Sequence, residues 1–221
     1  IVKKKYTKSL PDRRRCTLKS CRKHFTPLRD GQSVCSYECS VKYSKELKDK
    51  SEKKDKLNWQ KEKKKRTDEL KTHSDWSKEL QIEVNTIVRL IDKGAPCISS
   101  LRNGNEQRQA GHRWSVGSSP ALRFNFFNIF GQTAEQNNYQ SGNPDGFDHG
   151  ISCIYGYEIL NEVHGLKKKY PILKLSIPEL IHAKARAKKI VKGLKELNAT
   201  FTPEQRIELR RKYNKILQIY L

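Results

Sequence analysis

Between residues 76 and 91 the apolar positions recur three or four apart, at Trp76, Leu80, Val84, Ile87, Val88 and Ile91. That period puts them on one face of an α-helix, so the segment predicts a core-facing helix. Ser74-Asp75 is expected to cap its start, and Gly94 and Pro96 to end it. The same period returns near the C-terminus. Leu180, Ala183, Ala187, Ile190, Val191, Leu194 and Leu197 form one face, and Ile207, Tyr213, Ile216, Leu217 and Tyr220 most of another. "SIPE" at 176–179 and "TPEQ" at 202–205 each read as a capping box with an early proline. Together they predict an antiparallel helical hairpin with a basic outer face.

Two stretches lack this rhythm. Residues 41–75 are lysine-rich and nearly devoid of apolar side chains. Glu46 and Lys50, Asp49 and Lys53, and Glu52 and Lys56 stand i,i+4 with the acid first, which predicts a long exposed helix. Trp59, almost alone there, is expected to pack on a neighbour, with base stacking as the alternative. In the centre the signals are shorter. "CISSLRNGNEQRQAGHRW" predicts a β-hairpin turning at Asn103-Gly104, with His112 near the end of the return strand. "ALRFNFFNIFGQ" predicts a second extended stretch carrying Asn125 and Asn128. "TAEQNNYQSGNP" predicts a short helix with Thr133 as cap, Gln136 at the third position and Asn137 on its second turn. Gly142 would follow it in the left-handed conformation and Pro144 would block its continuation.

Strand with His, strand with Asn, then helix with a polar residue is the order of a ββα-metal, or HNH, nuclease site. There a histidine deprotonates the attacking water, an asparagine orients the imidazole, and a helix residue holds a divalent metal beside the scissile phosphate. The plain alternative is a structural histidine on a strand.

The N-terminal segment adds a second kind of chemistry. Cys16 and Cys21 form one close pair, and Cys35 and Cys39 another, with Pro27 and Asp30-Gly31 available for turns between them. Two such thiolate pairs can converge on one tetrahedral zinc, whereas disulfides are the competing use of the same cysteines. His24 is a spare ligand, but four cysteines already complete the shell.

Composition sharpens the division. Only 35% of the 221 residues are apolar and 32% are charged, which favours small modules over one large core. The formal charge of +22 points first to nucleic acid, then to anionic membrane, as partner. Residues 1–75 carry 24 Lys/Arg against 11 Asp/Glu, residues 76–170 carry 10 against 9, and residues 171–221 carry 12 against 4. Two basic flanks thus bracket a nearly neutral centre. Arg13, Arg14, Arg15, Lys53, Lys54, Lys63, Lys64, Lys65, Lys188 and Lys189 are the candidate DNA contacts, solvated helix surface being the bland reading of the same residues. No apolar run reaches membrane-spanning length and there is no secretory signal, so a cytoplasmic location and no membrane partner are expected. The lack of methionine suggests that Ile1 is not the translated start.

The sequence resembles the phage NinG (Rap) recombination proteins. "RRRC" with Cys16, Cys21, Cys35 and Cys39, the lysine-rich run, "CIS" at Cys97, "AGH" ending at His112, "LRFN" at 122–125, "NI" at Asn128 and "SGN" at 141–143 match in order, over roughly residues 13–195. The resemblance implies a DNA recombination role with structure-selective cutting of branched DNA such as Holliday junctions, in the host cytoplasm. It implies His112 as general base, Asn128 as its orienting partner and Asn137 as ligand of a catalytic Mg²⁺ or Mn²⁺. A homodimer would give a symmetric junction two active sites. Relatives carry a second zinc knuckle around the core. Here Cys97 keeps the first place, and Ser100, Thr133 and Gln136 stand at the others, so one structural zinc is expected rather than two. The expected fold is α+β: a zinc module over 1–40, a lysine-rich helical linker over 41–75, an HNH-like core over 76–170 and a basic helical hairpin over 171–221. A non-catalytic DNA-binding recombination accessory is the alternative, and a zinc-ribbon protein on structured RNA the distant third.

Overall fold

The computed structural model describes residues 13–103 and 108–220. They fall in two compact units, residues 1–70 and 71–221. The architecture is α+β, six helices with two small two-stranded sheets among the described residues.

In the first unit β1 (Arg14–Arg15) pairs antiparallel with β2 (His24–Phe25). A long helix follows, α1 (Tyr37–Glu69), capped by the Ser36 side chain, which accepts from the Cys39 amide. None of its residues is buried. Its ion pairs are Lys48–Glu52 at 4.0 Å and Arg66–Glu62 at 2.8 Å, not the pairs expected from the acid-first spacing. Trp59 is 61% exposed, with the Lys63 ammonium 5.0 Å from its ring centre, so it does not pack on a neighbour. Among the described residues the apolar cluster of this unit is Leu18, Val34 and the cysteines, with Phe25 and Tyr43 packed against them, far too little to fold alone.

The second unit begins with α2 (His73–Ile91). Its cap is Thr72, in a complete capping box with Asp75, rather than Ser74-Asp75. All six apolar residues of its stripe are buried. Later come α3 (Pro144–Tyr155), α4 (Tyr157–Lys169), α5 (Ile177–Leu197) and α6 (Pro203–Leu217). Both C-terminal capping boxes form, Ser176 with Glu179 and Thr202 with Gln205. Yet α5 packs chiefly on α2 and only lightly on α6. The two helices share the main core instead of standing apart as a hairpin.

The central strands differ from their expectation. β3 (Gln109–His112) pairs with β4 (Ile129–Gln132), in the register Gln109 to Gln132 and His112 to Ile129. Residues 97–102 close a turn instead, with the Leu101 amide donating to the Cys97 carbonyl at 2.8 Å. Gly104, half of the expected hairpin turn, lies outside the described residues. Of the aromatic stretch only 129–132 is extended. A 3-10 turn at Pro120–Leu122 and further turns occupy the rest. The β-rich pattern was misleading because Phe124, Phe126, Phe127 and Phe130 are all buried, two in each of the unit's apolar clusters. A run buried on both sides loses the alternation that marks a strand.

One ion pair sits inside this core. Arg210 on α6 is fully buried and Asp92, the C-cap of α2, is 2% exposed. The Arg210 Nη2 donates to both Asp92 oxygens, at 2.9 and 2.7 Å. Its Nε reaches the Phe126 carbonyl at 3.1 Å, and the Gly131 amide donates to Asp92 Oδ2 at 2.8 Å. The guanidinium also covers the Phe130 ring at 4.1 Å. A carboxylate at a helix C-terminus opposes the helix dipole, so Asp92 is tolerable there because Arg210 neutralises it.

Removing one member leaves a buried unpaired charge. Asp92→Ala should lower unfolding stability by about 3–5 kcal/mol, whereas Arg211→Ala, on the exposed side of the same helix, should shift it by less than about 1 kcal/mol. Urea titrations followed by circular dichroism measure both; equal effects would mean that Asp92 does not carry this constraint.

Candidate functional site

The β1–β2 ribbon and the start of α1 bring the four N-terminal cysteines together. Cys16 follows β1, Cys21 lies in the connecting turn, Cys35 precedes the helix cap and Cys39 is in the first turn of α1. Their sulfurs all lie within 4.8 Å of one another. Cys21 and Cys35 are 3.5 Å apart, and Cys35 and Cys39 3.6 Å. A tetrahedral zinc with bonds of about 2.3 Å sets sulfurs roughly 3.8 Å apart, so the donor set fits zinc. None of the four is in a disulfide. Thiol contacts from Cys21 and then Cys39 push Cys35 up to about 12. Four thiolates at this spacing therefore need a cation's charge. Among the described residues this is the one cluster of metal-ligating side chains.

His112 ends β3. Its Nε2 lies 3.2 Å from the Arg123 carbonyl. A carbonyl only accepts, so Nε2 carries the proton and Nδ1 keeps its lone pair. Burial holds the imidazole pKa below its ordinary 6.5, against the raising effect of that carbonyl, while the Arg123 charge lowers it further. The ring is therefore neutral at pH 7. The glycine of "AGH" is required by packing. A Cβ on Gly111 would sit 1.6 Å from the Gln132 side-chain oxygen.

Asn128 forms no side-chain hydrogen bond to the imidazole among the described residues. Fully buried, it donates to the carbonyls of Trp114 at 3.0 Å and Leu122 at 3.2 Å, and accepts from the Trp114 amide at 2.8 Å. It clips the 113–128 loop shut, and that loop supplies the Arg123 carbonyl.

Asn137 lies in a π-helical turn, Glu135–Tyr139, not an α-helix. Its amide donates to Gln109 Oε1 at 2.7 Å. Gln109 and His112 are three apart on an extended strand and leave opposite faces. The described structure forms no bond between Asn137 and His112. Among the described residues no carboxylate or second imidazole joins them in a metal-binding cluster. A hard cation such as Mg²⁺ is held through carboxylates and substrate phosphates. These residues alone do not fit a divalent ion.

The four positions of the second knuckle do come together in part, as hydrogen bonds. The Thr133 amide donates to Cys97 Sγ at 3.3 Å, and the two side chains lie 3.7 Å apart. Burial raises the Cys97 pKa, but the Ser100 hydroxyl and the backbone amides of Thr133, Ser100 and Ser99 more than offset it, leaving the thiol below its ordinary value. Half of the expected box forms, with the Gln136 amide on Thr133 Oγ1 at 3.4 Å. The Gln136 side-chain oxygen Oε1 instead accepts from Asn143 Nδ2 at 2.6 Å, and Asn143 caps α3.

A further polar group was invisible in the sequence. Arg113 holds Asp148 of α3 through two bonds, at 2.6 and 2.7 Å, and His164 of α4 reaches the same carboxylate at 2.9 Å. Arg113 and Lys167 lie 4.1 and 3.9 Å from the Trp114 ring centre. These residues are spread over 113–167 with no shared period, so only the fold joins them.

Of the candidate DNA contacts, Arg13, Arg15, Lys53, Lys54, Lys63, Lys64, Lys65, Lys188 and Lys189 are exposed and Arg14 is half-buried. Arg14 and Arg15 each donate to a backbone carbonyl, of Gln32 and Arg22. Not all the C-terminal charge is surface: Arg206 and Arg210 are buried.

The family model described as "Bacteriophage Lambda NinG protein" matches residues 8–197. Protein ninG of Escherichia phage lambda is 33% identical over 202 residues, covering 84% of this chain and 95% of that protein. Protein ninG of Enterobacteria phage H19B is 32% identical over 196 residues, with the same two coverages of 84% and 95%. Protein ninG of Salmonella phage P22 is 37% identical over 148 residues, covering 59% of this chain and 70% of that protein. No solved structure matches the chain.

Elemental analysis of the purified protein should find about one zinc per chain, because only one cluster fits it. Chelation should unfold the first unit while α2–α6 keep their circular dichroism. Cys153 is exposed and Cys97 buried, so a thiol reagent should modify Cys153 quickly and Cys97 only on unfolding. A second tightly bound zinc would refute the hydrogen-bonded reading of Cys97, Ser100, Thr133 and Gln136.

Proposed function

The chain belongs to the bacteriophage lambda NinG family, and from that premise we propose that it is a DNA recombination protein that binds branched DNA, Holliday junctions included, and cuts it with His112 as general base. The observation that carries the catalytic part is the state of His112. It is neutral, its Nε2 proton is committed to the Arg123 carbonyl, and Nδ1 is left as the proton acceptor. A base with a depressed pKa stays competent throughout the physiological range. Nδ1 would take the proton of a water attacking the phosphodiester, and the Arg123 carbonyl would steady the imidazolium that results. Asn128 would serve by fixing the loop. The exposed lysines of α1 and α5 would neutralise phosphates, whatever the sequence.

The thin donor set around His112 and Asn137 favours a second reading. With no carboxylate grouped with them to hold a divalent cation among the described residues, the same fold would act as a non-catalytic DNA-binding accessory. Labelled four-way junctions and linear duplex, incubated with Mg²⁺ or Mn²⁺, separate the two. In the nuclease reading the wild type cuts junctions and His112→Ala loses about a hundred- to ten-thousandfold in rate while still binding them. Binding without cleavage by the wild type establishes the accessory reading, and undiminished cleavage by His112→Ala removes His112 from the chemistry.

The same histidine has a signature in stability. Its folded pKa lies below the ordinary 6.5, so the unfolded chain binds the extra proton first. Its neutral form thus contributes stability fully above pH 6.5, and that contribution is lost as pH falls through the lower folded value. Urea midpoints measured downward from pH 7.5 should fall more steeply for wild type than for His112→Gln. Parallel curves would show that the imidazole titrates as if exposed.

A further inference from the structure

A cleft of about 210 Å³ opens in the second unit between α4, α6 and the 113–128 loop. Its rim carries Lys169, Arg211 and Lys215 against one carboxylate, Glu162. That carboxylate is paired with Arg211 at 3.3 Å in an exposed ion pair, the kind a stronger anion displaces readily. Inside are aromatic walls. Tyr170 is half-buried, meets Tyr220 edge to face at 5.0 Å, and has the Lys169 ammonium 5.2 Å from its ring.

At the base of the cleft lies Asn125, 1% exposed. Its Oδ1 accepts from the Phe127 amide at 2.9 Å and from the Asn214 side chain at 3.2 Å. Its Nδ2 is not among the enclosed side-chain atoms that lack a partner, and no hydrogen bond to a described group uses it, so it is open to the cleft. An open amide donor can take an acceptor, and an oxygen inside the cleft would supply one. Cations at the rim, a ring against which a flat group can lie and an unused amide donor below match one chemical class. It is anionic at one end, planar in the middle and oxygen-bearing at its edge.

We propose that this cleft seats one unpaired nucleotide of a DNA strand, its phosphate at Lys169, Arg211 and Lys215 and its base against Tyr170 with an edge oxygen on Asn125. The proposal rests on the DNA-binding reading above and adds a discriminating subsite to it. A paired and stacked base cannot enter, whereas an unpaired one at a junction or bulge can. The cleft also shares a loop with the candidate active site. Asn125 lies two residues from the Arg123 carbonyl that orients His112, so a base held on Asn125 fixes the segment on which the imidazole depends.

The test uses the full chain, without divalent metal, on two fluorescein-labelled duplexes that differ only by a single unpaired thymidine. Anisotropy at one salt concentration should show wild type favouring the bulged duplex by on the order of tenfold, the worth of one stacked base. Asn125→Asp keeps the oxygen that accepts from Phe127 and Asn214 but removes the donor, and it should erase the preference. Lys215→Gln lies on the surface and does not threaten folding. It should reduce the salt slope for the bulged duplex by about 1 and leave the paired duplex unchanged. With 5-iododeoxyuridine as the unpaired residue, photocrosslinks should fall at Tyr170 or on α6. Equal affinity for both duplexes, an unchanged preference in Asn125→Asp, or crosslinks confined to other segments would each overturn the cleft while leaving junction cleavage and its His112 dependence standing. Failure to bind either duplex would end this proposal and the DNA reading together.

Discussion

The second unit depends on a charge pair that water never sees. Arg210 and Asp92 meet where the end of α2, the middle of α6 and the strand β4 converge. The pair is expensive to desolvate, and its cost is offset by the number of groups it satisfies. Asp92 takes the Gly131 amide as well as the guanidinium, and Arg210 takes backbone carbonyls at Phe126 and Ile129. Those carbonyls belong to the loop and strand that the site is built on. The chain of dependence then runs outward. β4 fixes β3, Asn128 clips the loop, and the loop presents the Arg123 carbonyl to His112. A position more than eighty residues away in sequence thus sets the frame in which one imidazole is held.

How much of this was legible in the sequence follows from the range of the forces involved. Helix α2, both capping boxes and the four-cysteine cluster are local or nearly so, and each was legible from spacing. Thr72 took the cap of α2 ahead of Ser74 because its box with Asp75 satisfies two orphan amides. The strand pairing was not legible. Asn103-Gly104 suggested a hairpin, yet β3 pairs with β4, because the aromatic loop between them has its own burial to satisfy. Arg210 was hidden for a different reason. In a segment so rich in lysine and arginine nothing marks one cation as buried until the partner carboxylate at Asp92 is placed against it.

The segment that joins Cys97, Thr133 and Gln136 is held by hydrogen bonds rather than by a metal. A structural zinc supplies on the order of 10 kcal/mol or more, and no set of hydrogen bonds at one site equals that. The structure spreads the task. Cys97 keeps a central role as a sulfur that accepts from the Thr133 amide, and Thr133 turns its hydroxyl to the Gln136 amide. Gln136 passes the connection to Asn143, which caps α3, and Phe130 packs edge-on against Phe147 of that helix. Several weak ties and a buried aromatic contact hold the turn to its neighbours. The turn that results is wider than an α-helix, and this is where Asn137 parts from His112.

That geometry also separates the two readings proposed for this protein. The His112 side of the proposed site is well defined: a carbonyl fixes the tautomer and burial keeps the ring neutral. The electrophilic side is not. Asn137 is hydrogen-bonded to Gln109, and the Asp148 carboxylate is already held by Arg113 and His164. Recruiting Asp148 to a cation would require giving up two charge-assisted bonds, each stronger than a neutral one. The phosphate-binding potential, in contrast, rests on exposed lysines that need no such arrangement. Under the proposed function, phosphate binding would therefore tolerate substitution, while cutting would turn on whether substrate oxygens complete the site around His112.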